Sequence, residues 1–222
     1  MKVMFKKCLA EFIGTFGLIF CATGAIVIDQ QTGGAVSHVG VAITSGLIVM
    51  AMIYTFGSIS GAHLNPAVTI GFMIAKRFEI KMVLPYITAQ LLGALAASAI
   101  LKILFPENMD LGNTIPAGSN MQSFILEFIL TYFLMLVIIN VSHGSKEVGV
   151  LAGIAIGGTV LLEAMFAGPI CGASMNPARS ISPALVSGNL QFIWLYILAP
   201  VCGSVAAAFT WMSMQSRQSI GF

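Results

Sequence analysis

Gly61-Ala62-His63-Leu64-Asn65-Pro66-Ala67 and Gly172-Ala173-Ser174-Met175-Asn176-Pro177-Ala178 are two versions of one heptapeptide, and reading them decides the fold. Each Asn-Pro pair has the form of a helix start. Proline is favoured at the first helical position, where its missing N–H would have found no partner. The asparagine before it can accept from the free N–H groups of the first turn through its side-chain oxygen. That leaves its amide NH2 free to donate into a lumen. One such triplet signals only a helix start, whereas two in matched positions signal a repeat. Further matches surround them in the same order. Ala10-Glu11-Phe12-Ile13 pairs with Leu126-Glu127-Phe128-Ile129. Tyr86-Ile87-Thr88-Ala89 pairs with Tyr196-Ile197-Leu198-Ala199, followed by Gly93 and Gly203 respectively.

The chain around these motifs is apolar. Of its 222 residues, 58% are hydrophobic and 8% charged, against roughly 25% charged in an ordinary soluble domain. That is too little charge to cover a water-exposed surface. The net charge of +2 carries no nucleic-acid signal. Apolar stretches fall at about 8–28, 37–59, 82–105, 122–142, 148–168 and 190–213, each near the length needed to cross a bilayer. Helix is the one open-chain form that satisfies every backbone group in lipid, so all six are read as transmembrane helices. Segments at about 66–75 and 177–187 are too short to span and are read as re-entrant half-helices.

Three spans per half is an odd number, so the second half enters the membrane upside down. An inverted repeat places a functional site at the bilayer midplane between the halves. The N-termini of the two half-helices then converge, each carrying about half a positive charge. The centre repels cations and donates hydrogen bonds to neutral, oxygen-bearing solutes. The expected organisation is a single channel domain, 1–222, whose halves 1–105 and 118–222 are joined by an extracellular loop, 106–117. Lys2, Lys6, Lys7, Lys76, Arg77, Lys81, Lys146 and Arg217 fall on one side of such a chain, which makes that side, with both termini, cytoplasmic. Glu107 and Asp110 lie on the other side, and Lys102, near an outer helix end, is expected to snorkel to the interface. The Lys-rich start before an apolar run has the outline of a signal peptide, but Glu11 interrupts that run and has a counterpart in Glu127, which argues against cleavage.

The paired SGAHLNPAVT (60–69) and CGASMNPARS (171–180) stretches, with Glu11 and Glu127 in the first helix of each half, resemble the aquaporin or major intrinsic protein family. The resemblance covers essentially the whole chain. It implies an all-α membrane protein of six transmembrane helices plus two re-entrant half-helices, an inverted repeat in a right-handed bundle, with four pores to a homotetramer in the plasma (cytoplasmic) membrane. Its partners would be the lipid bilayer, water and small neutral solutes. No cofactor is expected, and no metal-ligand cluster or nucleophile–base pair is visible that would suggest an enzyme.

On that resemblance, Asn65, Pro66, Ala67, Asn176, Pro177 and Ala178 form the central constriction. Arg179 directly follows the second triplet. An arginine so deep in an apolar protein is expensive and marks function; the resemblance makes it the filter arginine near the outer mouth, and the bland alternative is a structural pair with a carboxylate. The family's spacing from the two asparagines places Ser45, Ala164 and Ala173 beside it in the selectivity filter. His63 is expected to line the inner approach. Glu11 and Glu127 could form a proton relay or accept hydrogen bonds from the backbone of their own re-entrant loops, and their symmetric duplication favours the second. Glu163 has no counterpart in the first half; bracing of the 169–175 loop and exposure to a vestibule both stay open. His38 and His143 are expected in solvated loops. Cys8, Cys21, Cys171 and Cys202 share no metal-type spacing and read as small packing residues. Gly14, Gly17, Gly93, Gly153, Gly157 and Gly203 read as close helix crossings.

Water-selective relatives carry an aromatic residue and a histidine where this chain has Ser45 and Ala164, and glycerol facilitators typically have Asp where it has Ser180. GPICGASMNPARS is similar to the nodulin-26-like branch and its bacterial relatives, some of which pass metalloid acids. Small side chains remove steric rejection. The expected function is a passive channel for metalloid acids (boric, silicic, arsenous), urea, glycerol and water that excludes ions and protons. A water-selective aquaporin, a glycerol facilitator and a coupled secondary transporter are the alternatives. A structural or adhesion protein is the remaining class.

Overall fold

The computed structural model describes residues 2–142 and 150–215; His143, Lys146 and Arg217 lie outside them. Eight helices make up the described chain: α1 (Lys2–Gln31), α2 (Ser37–Ser60), α3 (Pro66–Ile74), α4 (Ile80–Leu104), α5 (Asn120–Val141), α6 (Ala152–Cys171), α7 (Pro177–Ser187) and α8 (Ile193–Met214). Six of them, all but α3 and α7, are long and apolar enough to cross a membrane. The other two have 9 and 11 residues and begin at the two prolines. α1 runs past its apolar stretch into Lys2–Lys7, since lysine is a good helix former and its charge needs only an aqueous end.

The repeat is physical as well as sequential. α1 packs along α4 as α5 packs along α8. A Cβ on Gly93 would collide with the Phe12 carbonyl, and one on Gly203 with the Phe128 carbonyl, so the same glycine permits the same backbone approach in each half. The two halves meet where α2 crosses α6, and there a Cβ on Gly157 would lie 2.6 Å from the Gly46 carbonyl oxygen. Gly17 and Gly153 sit where α1 and α6 pack on α2, and Gly14 lies against α2 and the first heptapeptide, but the opposing atoms there are side chains rather than backbone. They make room for the side chains of Leu64, Met52 and Tyr54.

The half-helices are exchanged between the halves. α3 seats mainly against α8, and α7 mainly against α4. Ser204 of α8 donates to the Ala67 carbonyl in the first turn of α3 at 2.6 Å. Each short helix is therefore clamped by the last span of the opposite half. Large apolar side chains such as Leu84, Leu162, Phe166 and Phe209 project outward, 58–74% exposed. A surface of that kind is far beyond what a water-soluble monomer shows and belongs against acyl chains. The protein is a multi-pass membrane protein.

Two peripheral expectations change. His38 is not in a loop. It occupies the first turn of α2, exposed, with Nε2 2.8 Å from the Met165 carbonyl oxygen of α6. Lys102 does not simply reach for the interface: its ammonium donates to the carbonyls of Pro106 at 2.8 Å and Asn108 at 3.3 Å, tying down the loop that follows α4.

Candidate pore

Both heptapeptides fold into the same strained turn. α2 ends on Gly61 (φ 92°) and α6 on Gly172 (φ 84°), where glycine alone is comfortable. The strain continues beyond the glycines. Ala62 and Leu64 in one half, and Ala173 and Met175 in the other, also have positive φ, between 41° and 53°. Left-handed backbone at a non-glycine residue costs on the order of 1–3 kcal/mol and persists only where its surroundings over-determine it. The buried glutamates do so here. Glu11 accepts from the His63 amide at 3.0 Å and the Leu64 amide at 2.8 Å. Glu127 accepts from the matched Ser174 and Met175 amides at 2.7 and 2.8 Å. Glu11 takes two further donors, Ser60 Oγ at 2.7 Å and Gln90 Nε2 at 2.8 Å. Tyr86 and Tyr196 complete the symmetry by donating to the Ser60 and Cys171 carbonyls, both at 2.7 Å.

From these turns the half-helices start head to head. Asn65 Oδ1 caps the Ala67 amide at 2.8 Å, and Asn176 Oδ1 caps the Ala178 amide at 3.0 Å. Their amide groups are less free than the sequence suggests. Asn65 Nδ2 donates to the Met175 carbonyl at 2.8 Å, and Asn176 Nδ2 to the Leu64 carbonyl at 2.9 Å. One N–H of each amide thus cross-links the two turns, and the second is left for the lumen that both asparagines line. The cross-link also locks the two positive helix ends side by side.

A cavity of about 600 Å³ runs along this seam. Ser45, Ala164, Ala173 and Arg179 all border it, together with Asn65, Asn176 and His63. Most of the remaining wall is aliphatic, with Val49, Ile53, Val68 and Ile138 among its residues. His63 is held by Thr69 Oγ1, 3.1 Å from its Nδ1, and its ring stacks on Phe72 with centroids 4.7 Å apart. Arg179 is buried, and among the described residues no carboxylate forms an ion pair with it. Its Nη1 donates instead to the Gly112 carbonyl at 2.6 Å. An arginine tied to a neutral carbonyl keeps its full charge and its remaining N–H donors.

None of the three intramembrane glutamates lines the cavity. Glu163 does not border the cavity, and its Oε2 is buried with no hydrogen-bond partner among the described residues. Several supporting residues were not legible beforehand. Gly112 and Thr114 belong to what reads as a plain connector, and Gln90 and the two tyrosines read as ordinary span residues. Only the tyrosines carried a signal, their matched positions in the repeat.

Six spans around two opposed half-helices, with an asparagine-flanked cavity between them, define a membrane channel of the aquaporin type. The sequence profile of the major intrinsic protein family matches residues 1–211, and the chain belongs to that family. It is 48% identical over 207 residues to aquaporin NIP1-1 of Oryza sativa subsp. japonica, covering 93% of this chain and 73% of the relative. To nodulin-26 of Glycine max it is 46% identical over 207 residues, covering 93% and 76%. Its fold superimposes on the X-ray structure of the aquaglyceroporin from Plasmodium falciparum with a TM-score of 0.87 at 27% identity, over 95% of this chain and 96% of that one.

Proposed function

We propose that the chain is a passive, wide-filter pore for small uncharged polar solutes: metalloid acids, urea and glycerol, with water passing too. The observation that carries this reading is the composition of the ring around Arg179. Ser45, Ala164 and Ala173 border the same cavity as the arginine, and none has a side chain larger than a hydroxymethyl. Bulk at these positions would reject a solute by collision, and its absence removes that rejection. The arginine and the two helix ends then discriminate by charge alone, opposing cations while offering donors to neutral oxygens. An aliphatic wall offers a passing solute few competing partners, so it is not trapped.

In the same reading the chain is one channel domain with halves 1–105 and 118–222, four copies assemble into a homotetramer, and the lysine-rich ends of the spans face the cytoplasm at the plasma membrane. A coupled carrier would route protons through a lumen-facing acid, and the placement of Glu11, Glu127 and Glu163 away from the cavity speaks against it.

Stopped-flow swelling of proteoliposomes tests the filter. The wild-type protein is expected to pass urea, glycerol and boric acid as well as water. Passage of water with exclusion of the other three would refute the wide filter. Ser45→Phe combined with Ala164→His is expected to cut urea flux at least about tenfold while sparing water, since a bulky ring turns a tolerated contact into a collision.

A further inference from the structure

Two of the ring residues, Ala173 from the second turn and Arg179 from the start of α7, each have a serine as the next neighbour. Ser174 and Ser180 are both buried, and their hydroxyl oxygens lie 2.6 Å apart. Thr114, from the 106–117 loop and also buried, donates to Ser180 Oγ at 2.7 Å. Ser174 donates to the Asn176 carbonyl at 3.0 Å.

A hydroxyl has one hydrogen to give. Ser174 spends its hydrogen on Asn176, so the bond between the serines runs from Ser180 to Ser174. The three hydroxyls therefore form a one-way chain, Thr114 to Ser180 to Ser174 to the Asn176 carbonyl, in which each donates once; Ser174 also accepts from the Asn176 amide at 3.4 Å. The hydroxyl chain begins on the outer loop, passes the residues beside both filter positions, and ends on the asparagine that caps α7. The same loop holds the head of Arg179 through Gly112, two residues before Thr114. The loop is itself anchored. Ala117 donates to the Ile170 carbonyl at 3.0 Å, and Asn113 Nδ2 donates to the Asn189 carbonyl at 3.1 Å. The Thr114 methyl also packs on the turn, where a Cβ on Gly172 would lie 2.9 Å from it.

We infer that Thr114 is a positioning residue for the filter: through the hydroxyl chain it fixes Arg179 against Ala173 and so sets which solutes pass. This rests on the wide-filter pore proposed above. The chain holds the Ser180 side chain, next to Arg179, while Gly112 holds the guanidinium, and the two anchors share one loop. Losing the Thr114 donor leaves the arginine on a single tether and lets the ring widen.

Permeability ratios in proteoliposomes decide the matter, with urea and glycerol measured against water for wild type, Thr114→Val, Thr114→Ser and Ser180→Ala. Valine keeps the shape and loses the donor, and serine keeps the donor and loses the methyl. Thr114→Val and Ser180→Ala are expected to raise the glycerol-to-water ratio about three- to tenfold, the factor that one lost buried hydrogen bond carries. Thr114→Ser is expected to keep the wild-type ratio. A purely structural threonine would lower yield and thermal stability while leaving the ratio unchanged, and that result would overturn the inference. So would a Thr114→Ser shift as large as that of valine, because the methyl contact would then be what matters. If Thr114→Val fails to insert, Ser180→Ala adds no bulk and carries the same two outcomes. A wild-type protein that conducts no solute would instead sink the underlying pore reading.

Discussion

Glu127 shows how a single buried charge can be structural. It receives the amides of Ser174 and Met175 while Ala173 and Met175 sit at positive φ. Removing the carboxylate would leave two N–H groups without partners inside the membrane, at about 1–3 kcal/mol each, and would release a strained turn. Glu127→Ala is therefore expected to lower the thermal midpoint of the detergent-solubilised protein by about 5–10 °C and to abolish solute flux. Glu127→Gln, which retains one acceptor oxygen, should fall between. Unchanged melting and flux in the alanine variant would show that the turn is held by something else. The two glutamates were legible as a pair because their surroundings repeat. Which amides they receive depends on a turn some 50 residues further along the chain. Arg179 divides in the same way. Its depth follows from its place after the second triplet, but its partner is a backbone carbonyl, and every residue has one of those.

At the level of elements, the packing depends on small residues at a few crossings. Gly203 faces the Phe128 carbonyl so closely that any Cβ forces α5 and α8 apart, and Gly93 does the same for α1 and α4. Overpacking a tight contact costs about 1–3 kcal/mol. Gly93→Val and Gly203→Val are expected to reduce the monodisperse fraction in size-exclusion chromatography sharply. Gly158→Ala is the control, because a Cβ there meets nothing within 4 Å; it should be neutral or slightly stabilising, as alanine favours helix by about 1 kcal/mol over glycine. Equal behaviour of all three variants would mean that the crossings are not limiting. The spans and half-helices were readable from run length and from the two Asn-Pro pairs. The other glycines were less so, since at Gly14, Gly17 and Gly153 it is a side chain rather than backbone that fills the space. A small residue announces room without saying what fills it.

Across the whole molecule, the two halves are interlocked rather than merely adjacent. Each half-helix is seated on the opposite half, and each asparagine donates to the opposite turn. A fixed central seam of this kind has no built-in alternation of access. Flux should accordingly rise linearly with solute concentration and be indifferent to membrane potential and to a pH gradient, measured in proteoliposomes with valinomycin-set potentials. Saturation, or current coupled to solute, would point to a carrier.

Short contiguous stretches establish that the chain lives in lipid, that it repeats, that the repeat is inverted, and that two helices begin at Asn65-Pro66 and Asn176-Pro177. Those are properties of contiguous stretches: hydrophobic run length, the parity of spans, and a capping preference that acts within one turn. The packing of the helices settles the rest: the asparagine amides bridge the turns, the 106–117 loop grips Arg179, three hydroxyls align beside the filter, and Glu163 Oε2 is buried without a partner among the described residues. Backbone carbonyls and hydroxyls form these contacts across long separations in the chain. Their partners are chosen by how the helices pack, and no local pattern of residues encodes that.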